Sequence, residues 1–517
     1  MSGRDEKLGF GRRVSRREAL STAAKIGLAA GIGVVVGAIG GYLGGSAYAP
    51  AKTITETKTI TRTQERTVER TIEKTVTLTG TVTMPAPTTV TTVPATTTIT
   101  TPRRKVSGEI KLPLHKPPWL PGLQAMIENY EKANPGTKIN LDLVASFTDL
   151  RDKEIMDARE GTGLWDIYTL TYMMACQTVY YRWAYRVKDL DPAYKMDPNL
   201  LYQEWLFDPD GELRGLPLNL NNDLLYYRRD LFEERGLKIP PKTWDDVLEA
   251  AKTLHDPSKP LYGFIPRCAD DPGLEAYVLL RSYGGDYFVD WKNGDFSVRI
   301  NDAHGLAAFE MFAELLKYAP PSPASLTQSN MIEHMAAGTG AQALIVYAGT
   351  PWMDDPSYSK VVGKVDFAVP PAGTGLPGCR HASVECGWAL GASLKTRNPD
   401  LAIDFMEFCT QYDQQLIFAK IGVGPVNYKV ATDPSLINDP KYRNLKAQSE
   451  AMKYTVYQPN FPEITYIVNP IMKDFVQMIA TGTPVKEALN KVAETIYNYL
   501  RGKGYRTSWT KNLWEKG

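Results

Sequence analysis

Pairs of adjacent carboxylates in this 517-residue sequence could act directly on a substrate, and two of them lie in segments with a loop-like pattern. They are Asp270–Asp271 and Asp354–Asp355. Glycoside hydrolases use two carboxyl groups, one as an acid and the other as a base or nucleophile. Neighbouring acids also occur as loop charges or as acceptors for ligand hydroxyl groups, which is the interpretation we favour here. A carbohydrate-active, glycosidase-like surface enzyme remains an alternative.

Other motifs do not favour catalysis. The sequence has no HExxH, GxSxG or P-loop motif, and its five histidines show no metal-ligand spacing. Residues 373–378 satisfy GxGxxG formally, but Pro377 and the lack of a following helical pattern argue against a dinucleotide site. We therefore expect no catalytic residue, no metal site and no cofactor.

The composition limits the classes of partner. The formal net charge is +1 and 43% of the residues are hydrophobic, which fits a globular protein and gives no indication of nucleic-acid binding. Aromatic residues make up 10% of the chain; such rings build cores and can also stack on sugars. The five cysteines form no CxxC pair, and Cys379 and Cys386 are close enough in sequence for a loop disulfide in an oxidising compartment.

The N-terminal part begins like an export signal. Residues 1–25 are basic and contain Arg16-Arg17 in a context similar to a twin-arginine signal, which keeps this end in the cytoplasm. Residues 26–49 contain an apolar run of about 18 residues, the lower limit for a membrane span. Ala47-Tyr48-Ala49 resembles a signal-peptidase site, but Pro50 is expected to block the cut.

Residues 50–104 are rich in threonine and contain no aromatic residue, so they cannot bury a core. We predict an extended stalk, with a short coiled coil as the alternative. A stalk is useful only if residues 26–49 stay in the membrane. We therefore predict a folded part that is tethered at the outer cell surface, with export and signal cleavage as the alternative.

From residue 105 the sequence alternates between strand and helix patterns. The segments 109–114, 138–144 and 165–170 are predicted strands, and apolar residues at helical spacing lie between them. This β-α-β-α-β order predicts an α/β fold with a parallel sheet. Because ligands of open α/β sheets bind beyond the carboxyl ends of the strands, we expect residues 115–119 and 169–173 at a binding site.

Residues 215–254 carry the most specific pattern of the chain. The apolar stretch Leu216–Tyr227 is interrupted by polar residues at 219–223, and a short helix and the turn Pro240-Pro241 follow. Thr243 and Asp246 then have the spacing of a capping box at the start of another helix. This stretch resembles the corresponding segment of the family 1 extracellular solute-binding proteins, the maltose-binding-protein-like receptors of ABC importers.

The resemblance covers about residues 107–505 and implies a periplasmic-binding-protein-like type II fold, with two α/β lobes, a hinge and an interlobe cleft. Lobe 1 should comprise residues 105–219 and 383–423. Lobe 2 should comprise residues 220–382 and 424–517. The residues from Asn219 to Asp223 should cross the hinge.

The resemblance also implies a set of ligand-binding residues in the cleft. Planar rings would cover the C–H faces of a sugar, while carboxylates, amides and arginine would pair with its hydroxyl groups. The implied residues are Trp119, Tyr172, Asn221, Asn222, Arg267, Asp270, Trp352, Glu385, Trp388 and Tyr466.

The function implied by the resemblance is that of a monomeric extracytoplasmic receptor. It would close around a small solute, most simply a mono- or oligosaccharide, and deliver it to the permease of an ABC importer. The alternatives are the surface enzyme described above and a stalked structural or adhesion protein.

Overall fold

The computed structural model describes residues 105–516. The predicted export signal, membrane anchor and threonine-rich stalk, residues 1–104, lie outside the described residues. Within residues 105–516, no helix has both the length and the apolar composition needed to cross a bilayer.

Strands and helices alternate along the chain, as the sequence pattern predicts. The strands are β1 (Gly108–Leu114), β2 (Thr137–Leu143), β3 (Ile167–Leu170), β4 (Leu216–Asn219), β5 (Asp223–Arg228), β6 (Phe288–Asp290), β7 (Asp295–Val298), β8 (Gln342–Val346), β9 (Val365–Ala368), β10 (Ser383–Val384), β11 (Trp388–Ala392) and β12 (Thr455–Val456). The α-helices are α1 (Leu120–Ala133), α2 (Phe147–Glu160), α3 (Tyr172–Thr178), α4 (Val187–Leu190), α5 (Arg229–Glu234), α6 (Trp244–Leu254), α7 (Gly273–Ser282), α8 (Ala303–Leu316), α9 (Gln328–Ala337), α10 (Pro399–Cys409), α11 (Tyr412–Lys420), α12 (Tyr428–Ala431), α13 (Pro434–Ile437), α14 (Arg443–Ala451), α15 (Ile464–Tyr466), α16 (Met472–Ala480) and α17 (Val485–Gly502). Shorter helical turns lie at Glu204–Leu206, Trp291–Asn293, Pro323–Ser325, Tyr347–Met353, Pro440–Tyr442, Met452–Tyr454, Ile467–Ile471 and Leu513–Glu515.

The first lobe contains two adjoining sheets. β1 and β2 pair in parallel over their full length, whereas β11 lies between β3 and β4 and is antiparallel to both. The Thr169 hydroxyl donates to the Pro113 carbonyl oxygen at 2.7 Å and joins β3 to β1. The predicted parallel pairing is therefore confirmed for β1 and β2, whereas β3 adjoins β1 on one side and pairs antiparallel with β11 on the other. Its partner β11 comes from more than 200 residues later in the chain, which local patterning cannot reveal.

The second lobe is centred on β5, which lies between β8 and β9 and is antiparallel to both. The predicted capping box of α6 is present: Thr243 Oγ1 accepts from the Asp246 N–H, and the Asp246 carboxylate accepts from the Thr243 N–H. Two satisfied amide donors fix the start of this helix. Val247, Ala251 and Leu254 on its inner face are buried.

The apolar stretch 216–227 forms two strands that belong to different sheets. At Asn219, β4 pairs with Trp388 of the first lobe, and at Asp223, β5 pairs with Val346 of the second lobe. Residues 220–222 carry the chain between these sheets, inside the polar stretch identified in the sequence. We call these three residues the crossing.

Two other chain segments run beside the crossing. Asn222 forms a β-bridge with Glu385, and Leu220 forms one with Gly424. A Cβ atom on Gly387 would lie 2.1 Å from the Asn219 carbonyl oxygen. One on Gly424 would lie 2.4 Å from the carbonyl oxygen of Leu220. The segments therefore pack backbone against backbone, at distances that any larger side chain would prevent.

The loop disulfide left open by the sequence does not form, and all five cysteines are free. Cys386 lies beside the crossing and its thiol donates to the Asn221 carbonyl oxygen at 3.0 Å. The thiol of Cys379 instead lies 3.7 Å from the Tyr283 carbonyl oxygen. The two cysteines thus face different parts of the structure although they are seven residues apart.

The close contact at Gly387 gives a test of the crossing. We expect Gly387→Ala to lower the free energy of unfolding by about 1–3 kcal/mol or more, because the new methyl group forces the backbone of β4 to move. Urea denaturation followed by tryptophan fluorescence measures this. Gly502→Ala is the matched control: no atom lies within 4 Å of the added Cβ, so its midpoint should stay unchanged or rise slightly. Equal midpoints for the two variants would contradict the contact.

Candidate ligand-binding cleft

A cavity of about 440 Å³ lies between the two lobes, within the size range of small-molecule sites. We call it the cleft cavity. Both loops expected beyond the strand ends line it: residues 115 and 117–119 follow β1, and residues 171–173 follow β3. The second lobe contributes residues from 267 to 274 and from 346 to 352. The two loops that follow the carboxyl ends of β1 and β3 therefore form the first-lobe wall of the cavity, where the sequence pattern predicted them.

Most of the residues implied by the family resemblance meet at this cavity. Those that line it are Trp119, Tyr172, Asn221, Arg267, Asp270, Trp352 and Trp388. Asn222, Glu385 and Tyr466 do not line it.

The side chains of Asn222 and Glu385 lie on the side of the crossing that faces away from the cleft cavity, which corrects their expected position. Successive side chains of an extended chain point to opposite sides, so Asn221 lines the cavity and Asn222 is fully buried. The Asn222 amide donates to Thr455 Oγ1 at 3.1 Å and accepts from Gln448 Nε2 at 3.0 Å. Glu385 is also buried and accepts from the Gly387 N–H at 2.6 Å. Burial raises the pKa of Glu385 to about 7.

Tyr466 lies in a neighbouring groove, which corrects its expected position as well. Its ring stacks on Tyr499, with the centroids 4.4 Å apart. Asn469, three residues later, lines the cleft cavity instead.

Aromatic rings build the first-lobe wall of the cavity. The Trp388 ring stacks on the His115 imidazole, with centroids 5.4 Å apart, and meets the Trp119 ring edge-on at 5.3 Å. Both tryptophans are more than nine-tenths buried, so they pack mainly against each other and present only part of their surface to the cavity. Trp352, on the second-lobe side, is partly exposed, and its ring lies 5.7 Å from that of Tyr358. The cavity is therefore bounded by rings on both sides.

Arg267 is the buried cation of the second-lobe wall. Its Nε donates to Asp270 Oδ1 at 2.7 Å, and its Nη1 donates to Glu275 Oε1 at 3.1 Å. Two carboxylates thus compensate one guanidinium, which also fixes its orientation. Arg267 and Asp270 act as one structural unit in the cavity wall.

The neighbouring carboxyl groups at 270 and 271 differ in acidity. Burial raises the pKa of Asp271 to about 6, against the opposing charge of Arg267. Burial also acts to raise the pKa of Asp270, but the Arg267 guanidinium outweighs it and holds that pKa below its ordinary value. The other acidic pair lies away from the cavity: Asp354 pairs with Arg443 at 2.7 Å, and Asp355 accepts from Ser357.

Three polar atoms of the lining residues are buried and have no hydrogen-bond partner among residues 105–516: His115 Nδ1, Tyr172 Oη and Asp271 Oδ1. Burial lowers the pKa of His115 to about 4, so its imidazole is neutral at physiological pH. Leaving a buried donor or acceptor unpaired costs about 1–3 kcal/mol. A ligand with hydroxyl groups can donate to and accept from such atoms at once.

A sequence profile of the family described as bacterial extracellular solute-binding protein matches residues 116–416. This is more than half of the chain, and it includes the crossing and most of the residues that line the cleft cavity. The chain belongs to the bacterial extracellular solute-binding protein family. Membership implies an extracytoplasmic location and a solute as the ligand.

Individual relatives of this solute-binding protein are distant. It is 24% identical over 307 residues to a mannitol-binding protein of Pseudomonas aeruginosa, covering 59% of this chain and 69% of that protein. It is 24% identical over 301 residues to a galactooligosaccharide-binding protein of Bacillus subtilis, covering 57% and 68%. The maltose-bound structure of T. maritima MalE3 superposes with a TM-score of 0.65 at 20% identity, covering 76% of this chain and 99% of that one. At this identity the structural likeness establishes the fold alone.

Some lining residues of the solute-binding protein were not identified from its sequence. They are Phe147, Arg151, Gln328, Ser329 and Asn469. Phe147 and Arg151 follow the carboxyl end of β2, so they could have been predicted from the tendency of ligands to bind beyond the carboxyl ends of strands. Gln328 and Asn469 come from second-lobe and C-terminal segments, whose approach to the cavity no local pattern indicates.

The raised pKa of Asp271 predicts a pH-dependent contribution to stability. The group binds its proton more tightly in the folded state, with a pKa of about 6 against an ordinary value of 3.8. The contribution of Asp271 to the free energy of unfolding must therefore fall as the pH rises through this window. We expect Asp271→Asn to remove the fall, so that the variant gains up to ~3 kcal/mol over the wild-type protein between about pH 4 and pH 7.

Urea denaturation at several pH values between 4.5 and 7.5 measures this gain, and Asp355→Asn is the matched control. Hydrogen bonds from Ser357 hold the pKa of Asp355 below its ordinary value, so its contribution is lost only as the pH falls below that value. The difference between Asp355→Asn and the wild-type protein should thus be constant across the window. A constant difference for Asp271→Asn would refute the assignment.

Proposed function

We propose that this protein is an extracytoplasmic receptor that binds a neutral sugar or polyol in the cleft cavity and delivers it to an ABC import permease. The observation that carries the proposal is the combination at one cavity of aromatic walls and unpartnered polar atoms. Those atoms belong to His115, Tyr172 and Asp271. A sugar supplies both a C–H face for the rings and hydroxyl groups for the polar atoms.

The charges around the cavity favour a neutral ligand. Arg267 is held by Asp270 and Glu275, and Arg151 pairs with Asp152 at 2.8 Å. His115 is uncharged at neutral pH because burial lowers its pKa to about 4. These cations are already compensated, so a phosphorylated or carboxylated solute would meet no unpaired cation among them. The named ligands of the relatives, mannitol and a galactooligosaccharide, and the maltose bound to MalE3 belong to the same neutral, hydroxyl-rich class.

Closure of the lobes around the solute would transmit binding to the permease. The crossing joins the lobes through few residues, and Asn221 contacts both sides: its side-chain oxygen accepts from the Ala348 N–H at 2.8 Å, and its own N–H donates to Glu385. A solute that contacts both cavity walls stabilises the arrangement in which they are close. The apolar run at residues 26–49 supports a membrane tether that holds the receptor near its permease.

The geometry gives less support to a glycosidase. Such enzymes place two carboxyl groups on opposite sides of the scissile bond, about 5–9.5 Å apart. The carboxylates that line the cavity, Asp270 and Asp271, are adjacent in one loop, and Asp270 is engaged by Arg267. A receptor should bind with fixed stoichiometry and release no shorter sugar, which chromatography of the incubated sugar checks. An adhesion protein should show no stabilisation by small solutes.

A thermal-shift screen of the full-length protein tests the proposal. Mannitol, ribitol, maltose, maltotetraose and galactooligosaccharides form the panel. We expect at least one of them to raise the melting temperature in a concentration-dependent manner, because a ligand that binds only the folded state stabilises it. If no sugar or polyol has this effect, the proposed function is wrong.

For the sugar that binds, we expect Trp352→Ala to weaken affinity by about tenfold to a hundredfold, as loss of an aromatic anchor does. Isothermal titration calorimetry measures the change. Trp291→Ala is the matched control, since Trp291 is also partly exposed but lies in a turn that does not line the cavity. Unchanged affinity in Trp352→Ala would show that this ring does not contact the sugar. An equal loss of affinity in both variants would indicate a general effect on folding.

A further inference from the structure

A second groove of about 570 Å³ adjoins the cleft cavity. We call it the flank groove. One wall is the outer side of α2, and the other is formed by α15, the turn that follows it, and α17. Arg151 and Asn469 line both the flank groove and the cleft cavity. These two residues therefore mark the boundary at which the cavity and the groove meet.

The junction depends on a kink in the C-terminal segment. Asn469 has φ −126° and ψ 49°, outside the helical region, and it precedes Pro470. Proline removes one backbone N–H and disfavours the helical conformation in the residue before it. Asn469 therefore lies at the cavity edge, while Tyr466 lies in the groove.

The first-lobe side holds this segment in place. The hydroxyl of Thr465, next to Tyr466, lies 3.1 Å from the Cys176 thiol of α3 and donates weakly to the Met173 carbonyl oxygen at 3.4 Å. Met173 itself lines the cleft cavity. The cavity and the groove are thus two parts of one surface, built by the same neighbouring elements.

The groove presents a supported aromatic ring. Tyr466 stacks on Tyr499 with an interplanar angle of 27°, yet the residue is 48% exposed. One ring is thus backed by another and leaves the remainder of its surface open to the groove. Rings held in this way bind the C–H face of a sugar with little loss of side-chain freedom.

The two arginines that line the groove are each paired with a neighbouring carboxylate. Arg151 pairs with Asp152, and Arg159 pairs with Glu160, both at 2.8 Å. Gln177 and Asn469 add two amides. This mixture of a ring, amides and compensated arginines matches a neutral carbohydrate and offers no strong attraction to an anion.

We propose that the flank groove is an extension of the binding site that holds the distal units of an oligosaccharide whose first units lie in the cleft cavity. The proposal rests on the proposed receptor function and specifies its ligand. The preferred solute is an oligosaccharide, bound more tightly than a monosaccharide or a polyol of the same chemistry. Tyr466 is the residue that determines this preference for length.

Isothermal titration calorimetry of the full-length protein with two length series tests the proposal. The probes are malto-oligosaccharides and β-galacto-oligosaccharides, each from one to six units. We expect the affinity in at least one series to rise by about tenfold or more between two and four or more units, as added stacking on Tyr466 would give. Tyr466→Ala should abolish this rise and leave affinity for the disaccharide within about twofold. Tyr466→Trp, which keeps a stacking ring, should retain the rise.

Tyr428→Ala is the matched control, because Tyr428 is 50% exposed and lines neither the groove nor the cleft cavity. It should bind every probe as the wild-type protein does. If affinity does not increase beyond the disaccharide in either series, or if Tyr466→Ala keeps the increase, the extension is refuted while the receptor function stands. If none of these probes and no polyol binds, both proposals fall.

Discussion

Backbone-to-backbone packing at the crossing is the contact on which the rest of this structure depends. Gly387 and Gly424 approach the carbonyl oxygens of Asn219 and Leu220 so closely that a Cβ atom would not fit. Because these segments lie in contact, β11 can join β4 in the first lobe while β5, separated from β4 by only three residues, starts the second lobe. The cleft is the space left between two sheets that are joined in this way.

The same contact decides which polar side chains are available to a ligand. An extended backbone turns Asn221 toward the cleft cavity and Asn222 away from it, where Gln448 and Thr455 satisfy its amide. Glu385 is used in a similar way, since it accepts from the N–H groups of Asn221 and Gly387. These side chains therefore hold the crossing in place from the side that faces away from the cavity.

The second-lobe wall is organised by the burial of charge. Burial raises the pKa of Glu275 to about 7 and raises the pKa of Asp223 well above its ordinary value, while Arg267 opposes both shifts. Asp270 stays ionised because the Arg267 guanidinium contacts it directly. Arg267 is therefore surrounded by several carboxyl groups. Asp270 is ionised, whereas the raised pKa values of Asp223 and Glu275 favour their protonated forms. Its two partners, Asp270 and Glu275, fix the orientation of the Arg267 guanidinium in the cavity wall.

The sequence by itself determined the local elements and the family of folds. The capping box of α6, the strands β1 and β2 and the loops beyond β1 and β3 follow from spacing, because the interactions that form them lie within a few residues. Tertiary structure alone decided which sheet each half of the 216–227 stretch joins, the antiparallel pairing of β3 with β11, and the positions of Asn222, Glu385 and Tyr466. Those outcomes depend on contacts between segments that are up to hundreds of residues apart. A single sequence does not encode such contacts in any periodic pattern, and a shift of one residue along a strand, or a proline kink in a helix, turns a candidate side chain out of the cleft.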